Sequence, residues 1–243
     1  MENEHFDVLI FDPNPILTAR NFIVKARRAM RKHSYVLLLS ETISLEDALK
    51  SAANDCMSKP IDPDEIYKKI DHATHLIKLI NHLGDDSEDF PSAGGVIAKS
   101  AFNQLFLSGM ERADRYGEKT HILSISLNNY TEIMNLDGAY TADYAVAKLC
   151  QYIVKLRRQS DIVGQTGKNE YSILLQHPNY ATESFDAANR FTEQLSEASD
   201  IASSERSEIE LKISLTKVPS GEEVLTRTLK PGVIARTKSE PAT

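Results

Sequence analysis

Three times in its first sixty residues the chain sets a short apolar run before an amphipathic stretch, and this alternation limits the fold more than any other feature. Asp7 to Phe11 (DVLIF) leads into a helix through about Arg31, and Tyr35 to Leu39 (YVLLL) into a second around Ser44 to Ala53. Cys56 to Ser58 leads into a third. Apolar runs of this length bounded by turn residues read as strands, so the succession is a β/α rhythm. The third helix has a strong start signal: Asp62 as cap, Pro63 at the first helical position, then Asp64 and Glu65. It carries Ile66, Ile70, Ala73, Ile77 and Ile80 at alternating four- and three-residue spacing and stops near Gly84. Such a seam either pairs helices between two copies or packs on its own sheet. His72, His75 and His82 on this helix lack partners at ligand spacing, so they read as solvated surface residues and not as a metal site.

Residues 84–94 are acidic, small and glycine-rich, without apolar periodicity, and mark a linker between a segment 1–83 and a domain 95–235. The pattern beyond predicts a helix from about Ala98 to Tyr116, a strand His121 to Leu127 and a helix Thr141 to Arg158. A strand pair follows around Ile162 to Gly164 and Tyr171 to Leu175, then a helix Thr182 to Glu197 and a strand Ile209 to Leu215. That order implies a mixed α/β sheet. Residues 236–243 read as a flexible tail.

With 41% hydrophobic and 26% charged residues, the chain can bury a core, and no segment reaches the ~20 apolar residues of a membrane span. The start lacks a signal-peptide pattern, which predicts a cytoplasmic protein without membrane insertion. The net charge of −7 argues against DNA binding, although a local basic cluster can still hold a compact anion. Cys56 and Cys150 have no metal-type spacing and read as buried free thiols.

Asp12, Ser40 and Lys59-Pro60, each at the end of an apolar strand, resemble the phosphoacceptor, hydroxyl and lysine of response-regulator receiver domains, as ALKSAANDCMSKPID resembles the stretch before that family's Lys-Pro turn. The resemblance implies an incomplete receiver-like, flavodoxin-like β/α segment that begins at the family's third strand, without its magnesium-holding acidic pair. An alternative alignment makes Asp7 to Phe11 the first strand and loses the middle of the domain. Either way Asp12 reads as a vestigial position and a turn residue. The uncovered sheet edge predicts self-association.

From about Gly95 to Leu215 the chain resembles GGDEF domains, whose active members join two GTP molecules into cyclic di-GMP with two magnesium ions. GVIAKSAF retains Gly95 and Phe102 of the family's opening pattern. In ISLNNYTEIMNLDGAYTADYAV, the metal-binding and guanine-contacting positions read Ser126, Met134 and Asp143. The signature loop reads Gly167, Lys168, Asn169, Glu170, Tyr171: Lys168 replaces a glycine that lets backbone approach phosphate, and Asn169 a metal-holding carboxylate. The C-terminal phosphate contacts are vestigial near Lys238. The resemblance therefore implies a degenerate domain that has lost diguanylate cyclase activity and needs no cofactor.

One family feature is intact. Arg158, Gln159, Ser160 and Asp161 match the family's Arg-x-x-Asp inhibitory site at its usual separation before the signature hairpin, with Arg157 adjacent and Arg190 on the following helix as a further basic contact. An arginine fork serves guanine O6 and N7 or phosphate, and an aspartate accepts from guanine N1 and N2. The alternative for this pair is a surface ion pair at a helix end. The expectation is a dimeric, non-catalytic cyclic di-GMP effector that relays occupancy to a protein partner; the alternative is a nucleotide-independent dimeric scaffold.

Overall fold

The computed structural model describes residues 6–13, 18–29, 33–90, 94–175, 182–201 and 208–232. Arg31, Lys238 and the tail 236–243 lie outside the described residues. The chain forms two compact units, neither continuous in sequence. The first comprises Met1–Asp85, Asn103–Thr120 and Lys217–Glu223, and the second Asp86–Phe102, His121–Thr216 and Val224–Thr243.

The first unit holds a parallel three-stranded sheet, β1 (Val8–Phe11), β2 (Tyr35–Leu39) and β3 (Asp55–Met57), in that order, with Leu9 beside Val36 and Leu38 beside Cys56. All five β2 residues are buried, which explains its unbroken apolar run: a central parallel strand is covered on both faces. Helix α1 (Ala19–Ala29) presents Ala19, Ile23 and Ala26 at helical spacing, and the first two join Val36, Leu38, Ala48, Ala52 and Ala53 in one core. Arg27 ties this layer together by donating to the Ala52 carbonyl (3.0 Å) and to Asn54 Oδ1 (2.7 Å). Helix α2 (Leu45–Lys50) starts on Ser44, whose hydroxyl accepts from the Asp47 amide at 3.1 Å.

Helix α3 (Pro63–Gly84) starts where the sequence signals, with the Asp62 carboxylate accepting from the Asp64 amide at 3.0 Å. Its buried stripe is Ala73, Leu76 and Leu83. Only Ala73 belongs to the expected isoleucine seam; Ile66, Ile77 and Ile80 are half-buried and Ile70 exposed. His72 departs from the expected solvated surface: it is half-buried, and its Nδ1 is shielded from solvent. The residues 217–223 pack within this unit: Asn54 Nδ2 donates to the Pro219 carbonyl at 3.0 Å and the Tyr35 hydroxyl to that of Ser220 at 3.0 Å. A Cβ on Gly221 would sit 2.2 Å from the His72 carbonyl oxygen, so only glycine allows this approach.

The second unit is built on a sheet with order β5-β6-β4-β7-β8, where β4 is Thr120–Leu127, β5 Ile162–Gly167, β6 Glu170–Leu175, β7 Leu211–Val218 and β8 Glu223–Leu229. β6 lies antiparallel between β5 and β4. The helices are α4 (Lys99–Tyr116), α5 (Tyr130–Asp137), α6 (Ala139–Leu156) and α7 (Glu183–Ser196), and residues 103–116 of α4 count with the first unit. α6 buries Ala142, Ala145, Leu149 and Ile153, and α7 buries Ala188, Phe191 and Leu195, in one core with Leu123, Ile125, Ile173 and Ile213.

Two elements were not expected from the pattern. α5 has only Tyr130 and Ile133 buried, too few to set a helical period, and ends at Gly138 with φ +88°. β8 is an edge strand with no fully buried residue, so its alternation is faint. Among the described residues, no helix is long and apolar enough to cross a membrane.

Candidate functional site

The Arg-x-x-Asp stretch forms the turn between α6 and β5. α6 ends at Leu156, and Arg157 leaves the helical region with ψ 148°. The Arg158 amide then donates to Asp161 Oδ2 at 2.8 Å, the Asp161 amide to the Arg158 carbonyl at 3.1 Å, and Arg157 Nη1 to the Asp161 carbonyl at 3.2 Å. Three of the four residues proposed for the ligand, Arg157, Arg158 and Asp161, are thus gathered in one turn. Asp161 is 7% exposed.

The Arg158 guanidinium does not pair with the Asp161 carboxylate across this turn. It forms an ion pair with Glu183 in the first turn of α7, where a carboxylate also meets the helix dipole favourably. Arg158, Asp161, Glu183 and Ser184 line a cavity of about 30 Å³, room for one or two waters. Ser184 is buried, its hydroxyl 3.0 Å from Nδ1 of the buried His121. Glu183, Ser184 and His121 were not legible in the sequence as members of this site, because nothing local ties them to Arg158.

Arg190 does not line that cavity. It lies seven residues beyond Glu183, on the same face of α7 and about 10 Å further along the axis. Its guanidinium sits 5.6 Å from the centre of the Phe191 ring, and among the described residues no acceptor meets its shielded Nε and Nη2.

The signature loop closes the β5–β6 hairpin. Ser126 and Glu170 stand directly opposite each other on β4 and β6. Glu170 Oε1 accepts from the Thr166 hydroxyl at 2.6 Å. Asn169 Nδ2 donates to the Leu127 carbonyl at 2.7 Å while its own carbonyl accepts from the Leu127 amide at 2.9 Å, so this side chain is turned to backbone. Lys168 Nζ lies 4.9 Å from the Tyr130 ring centre, and the Tyr130 hydroxyl donates to Asp143 Oδ1 at 2.7 Å. The Tyr130 hydroxyl, and then the charges of Asp143 and Glu88, hold the Lys168 ammonium above its ordinary pKa. Met134, on α5, packs against the core.

Magnesium needs hard oxygen ligands, chiefly carboxylates. The donor set here is one hydroxyl, one amide turned to backbone and one carboxylate already bonded to Thr166. No three His, Cys, Asp or Glu side chains gather to hold a metal ion among the described residues. Ser126, Asn169 and Glu170 thus supply one carboxylate between them.

In the first unit, Asp12, Ser40 and Lys59 follow β1, β2 and β3 and share the carboxyl-terminal edge of the parallel sheet. Lys59 Nζ reaches both Asp12 oxygens, at 3.1 and 3.0 Å. The Ser40 hydroxyl instead accepts from the Thr42 amide at 3.2 Å. Cys56 and Cys150 are free and half-buried, and burial raises both thiol pKa values. A separate cavity of about 360 Å³, lined in part by Asp7, His33, Ile80 and Asn103, contains none of the predicted site positions.

Comparison with solved structures aligns the chain with several GGDEF domains. The GGDEF domain of TpbB (YfiN) from Pseudomonas aeruginosa is 20% identical, with a TM-score of 0.42, over 49% of this chain and 74% of that one. The GGDEF domain of DgcB from Caulobacter crescentus, solved with cyclic di-GMP, is 15% identical (TM-score 0.45; 56% and 82% covered). The diguanylate cyclase SiaD from Pseudomonas aeruginosa, solved with its activator SiaC, is 15% identical (TM-score 0.47; 65% and 61% covered). Comparison with curated proteins returns no match. The family model described as "Diguanylate cyclase, GGDEF domain" matches residues 92–229, more than half of the 243 residues, and the chain belongs to the GGDEF family.

Proposed function

We propose that this protein is a non-catalytic cyclic di-GMP effector of the cytoplasm, in which a degenerate GGDEF domain binds the dinucleotide through Arg158, Asp161 and Arg190 and passes occupancy to a protein partner. The observation that carries this reading is a contrast between two sites in one domain. The signature hairpin offers a single carboxylate to metal, whereas the α6–β5 turn gathers Arg157, Arg158 and Asp161, with Arg190 further along α7. Arg190 adds to the case. Among the described residues no acceptor meets its Nε and Nη2, so an anion that reached them would complete their hydrogen bonds. The parallel sheet with Asp12 beside Lys59 supports reading the first unit as a receiver remnant that acts as a docking and dimerisation element rather than as a phosphoacceptor.

A second reading, a nucleotide-independent dimeric scaffold, is favoured by one observation: Arg158 and Asp161 both have protein partners already, around a cavity of about 30 Å³. Calorimetric titration with cyclic di-GMP separates the two. Micromolar or tighter binding that Arg158→Ala abolishes is expected. No heat and no thermal shift would leave the scaffold, and GTP turnover with magnesium would restore the enzyme.

A further inference from the structure

Glu183 stands where a ligand of Arg158 would have to go. The site's small cavity, the fixed Asp161 carboxylate and the Arg158–Glu183 ion pair belong to one arrangement. Asp161 is held by the backbone of its own turn, so it stays in place when a ligand arrives. The Arg158 side chain is 48% exposed, and its guanidinium pairs with a carboxylate on the next helix. Opening the site therefore means separating the Arg158–Glu183 pair.

We infer that Glu183 is a built-in competitor for Arg158: its carboxylate occupies the guanidinium in the empty protein and must be displaced by the phosphate or guanine edge of the bound nucleotide. This deepens the proposed effector reading and rests on it. Electrostatics gives the direction. Glu183 lowers the net positive charge of the site and repels an approaching phosphate at the distance of an ion pair, both of which weaken anion binding. The competition sets a threshold, so the site fills only when the nucleotide outbids an internal carboxylate. It also selects the ligand, because a group that bonds Arg158 in fork geometry makes two parallel hydrogen bonds to the guanidinium that Glu183 holds through Nη1.

The test is titration of cyclic di-GMP, by calorimetry at two salt concentrations, into four full-length proteins: wild type, Glu183→Gln, Arg158→Ala and the double variant. Gln keeps the side chain's length at a half-buried helix start, and circular dichroism confirms that each variant is folded. Glu183→Gln should bind roughly two- to fivefold tighter than wild type, the range of an exposed ion pair removed from competition. Arg158→Ala and the double variant should both lose binding, so that the Glu183 effect vanishes when Arg158 is absent. Wild-type binding that Glu183→Gln leaves unchanged or weakens overturns the competitor and leaves the effector reading standing. Silence in both proteins that retain Arg158 overturns the effector reading and the competitor with it.

Discussion

Tyr35 shows how much a single side chain contributes when both its ring and its hydroxyl are buried. It is 1% exposed, donates to the Ser220 carbonyl at 3.0 Å and lies 3.3 Å from Asp55 Oδ2, which Lys69 also holds at 2.8 Å. Burial, and then the charge and hydrogen bond of Asp55, push its phenol pKa well above the ordinary value. Because the folded pKa exceeds the unfolded value of about 10, this stabilisation is complete below pH ~10 and is lost as pH rises beyond it. Tyr171, raised chiefly by burial, acts in the same direction. Denaturant melts between pH 8 and 11 should show stability falling above pH ~10. Tyr35→Phe should cost about 1–2 kcal/mol at neutral pH and make the alkaline decline shallower; an unchanged slope would assign it to other groups. At this scale the sequence was legible where chemistry is local. Arg158 and Asp161 meet in one turn because they lie three positions apart in sequence, whereas Glu183 reaches Arg158 only through the packing of α7, which no short motif encodes.

Among elements, β5 and the start of α4 depend on the absence of a side chain. A Cβ on Gly164 would lie 2.6 Å from the Phe102 ring, and Phe102 is fully buried. Phe102 was read from the sequence as a surviving family position, and its packing gives the physical reason: the ring fills the space that a glycine leaves on the strand. The contact is reinforced by backbone pairing, with the Ile97 amide donating to the Val163 carbonyl at 2.9 Å. Gly164→Ala should therefore destabilise by about 1–3 kcal/mol through overpacking. Combining it with Phe102→Leu should recover part of the loss, since the two share one volume. Additive losses in thermal melts would show that the two sites do not share that space. Elements with strong signals, such as α3 with its Asp62 cap, began where the sequence placed them. α5 and β8 did not announce themselves, because a helix with two buried anchors and an exposed edge strand carry little periodic signal.

For the molecule as a whole, the proposed dimer requires a surface that joins two copies. In the first unit, α3 buries Ala73, Leu76 and Leu83 and leaves Ile66 half-buried and Ile70 36% exposed on a neighbouring stripe. Partly exposed isoleucines on a helix of 22 residues, beside a stripe already used by the fold, are what a helix-pairing seam requires. β1 offers the competing surface. It is an edge strand, and Ile10 on it is 42% exposed, with Phe22 of α1 38% exposed beside the stacked Phe11 ring. Lysines at 66 and 70 place two charges in the α3 seam without entering the buried stripe. If α3 pairs the copies, sedimentation equilibrium should give a dimer for wild type and a folded monomer for Ile66→Lys/Ile70→Lys. The variant should also keep its cyclic di-GMP affinity, because Arg158, Asp161 and Glu183 belong to the other unit. A variant that stays dimeric would transfer the interface to β1, where Ile10→Lys becomes the discriminating change. A wild type that remains monomeric at every concentration would remove dimerisation from the mechanism and leave ligand occupancy to be relayed by a single chain.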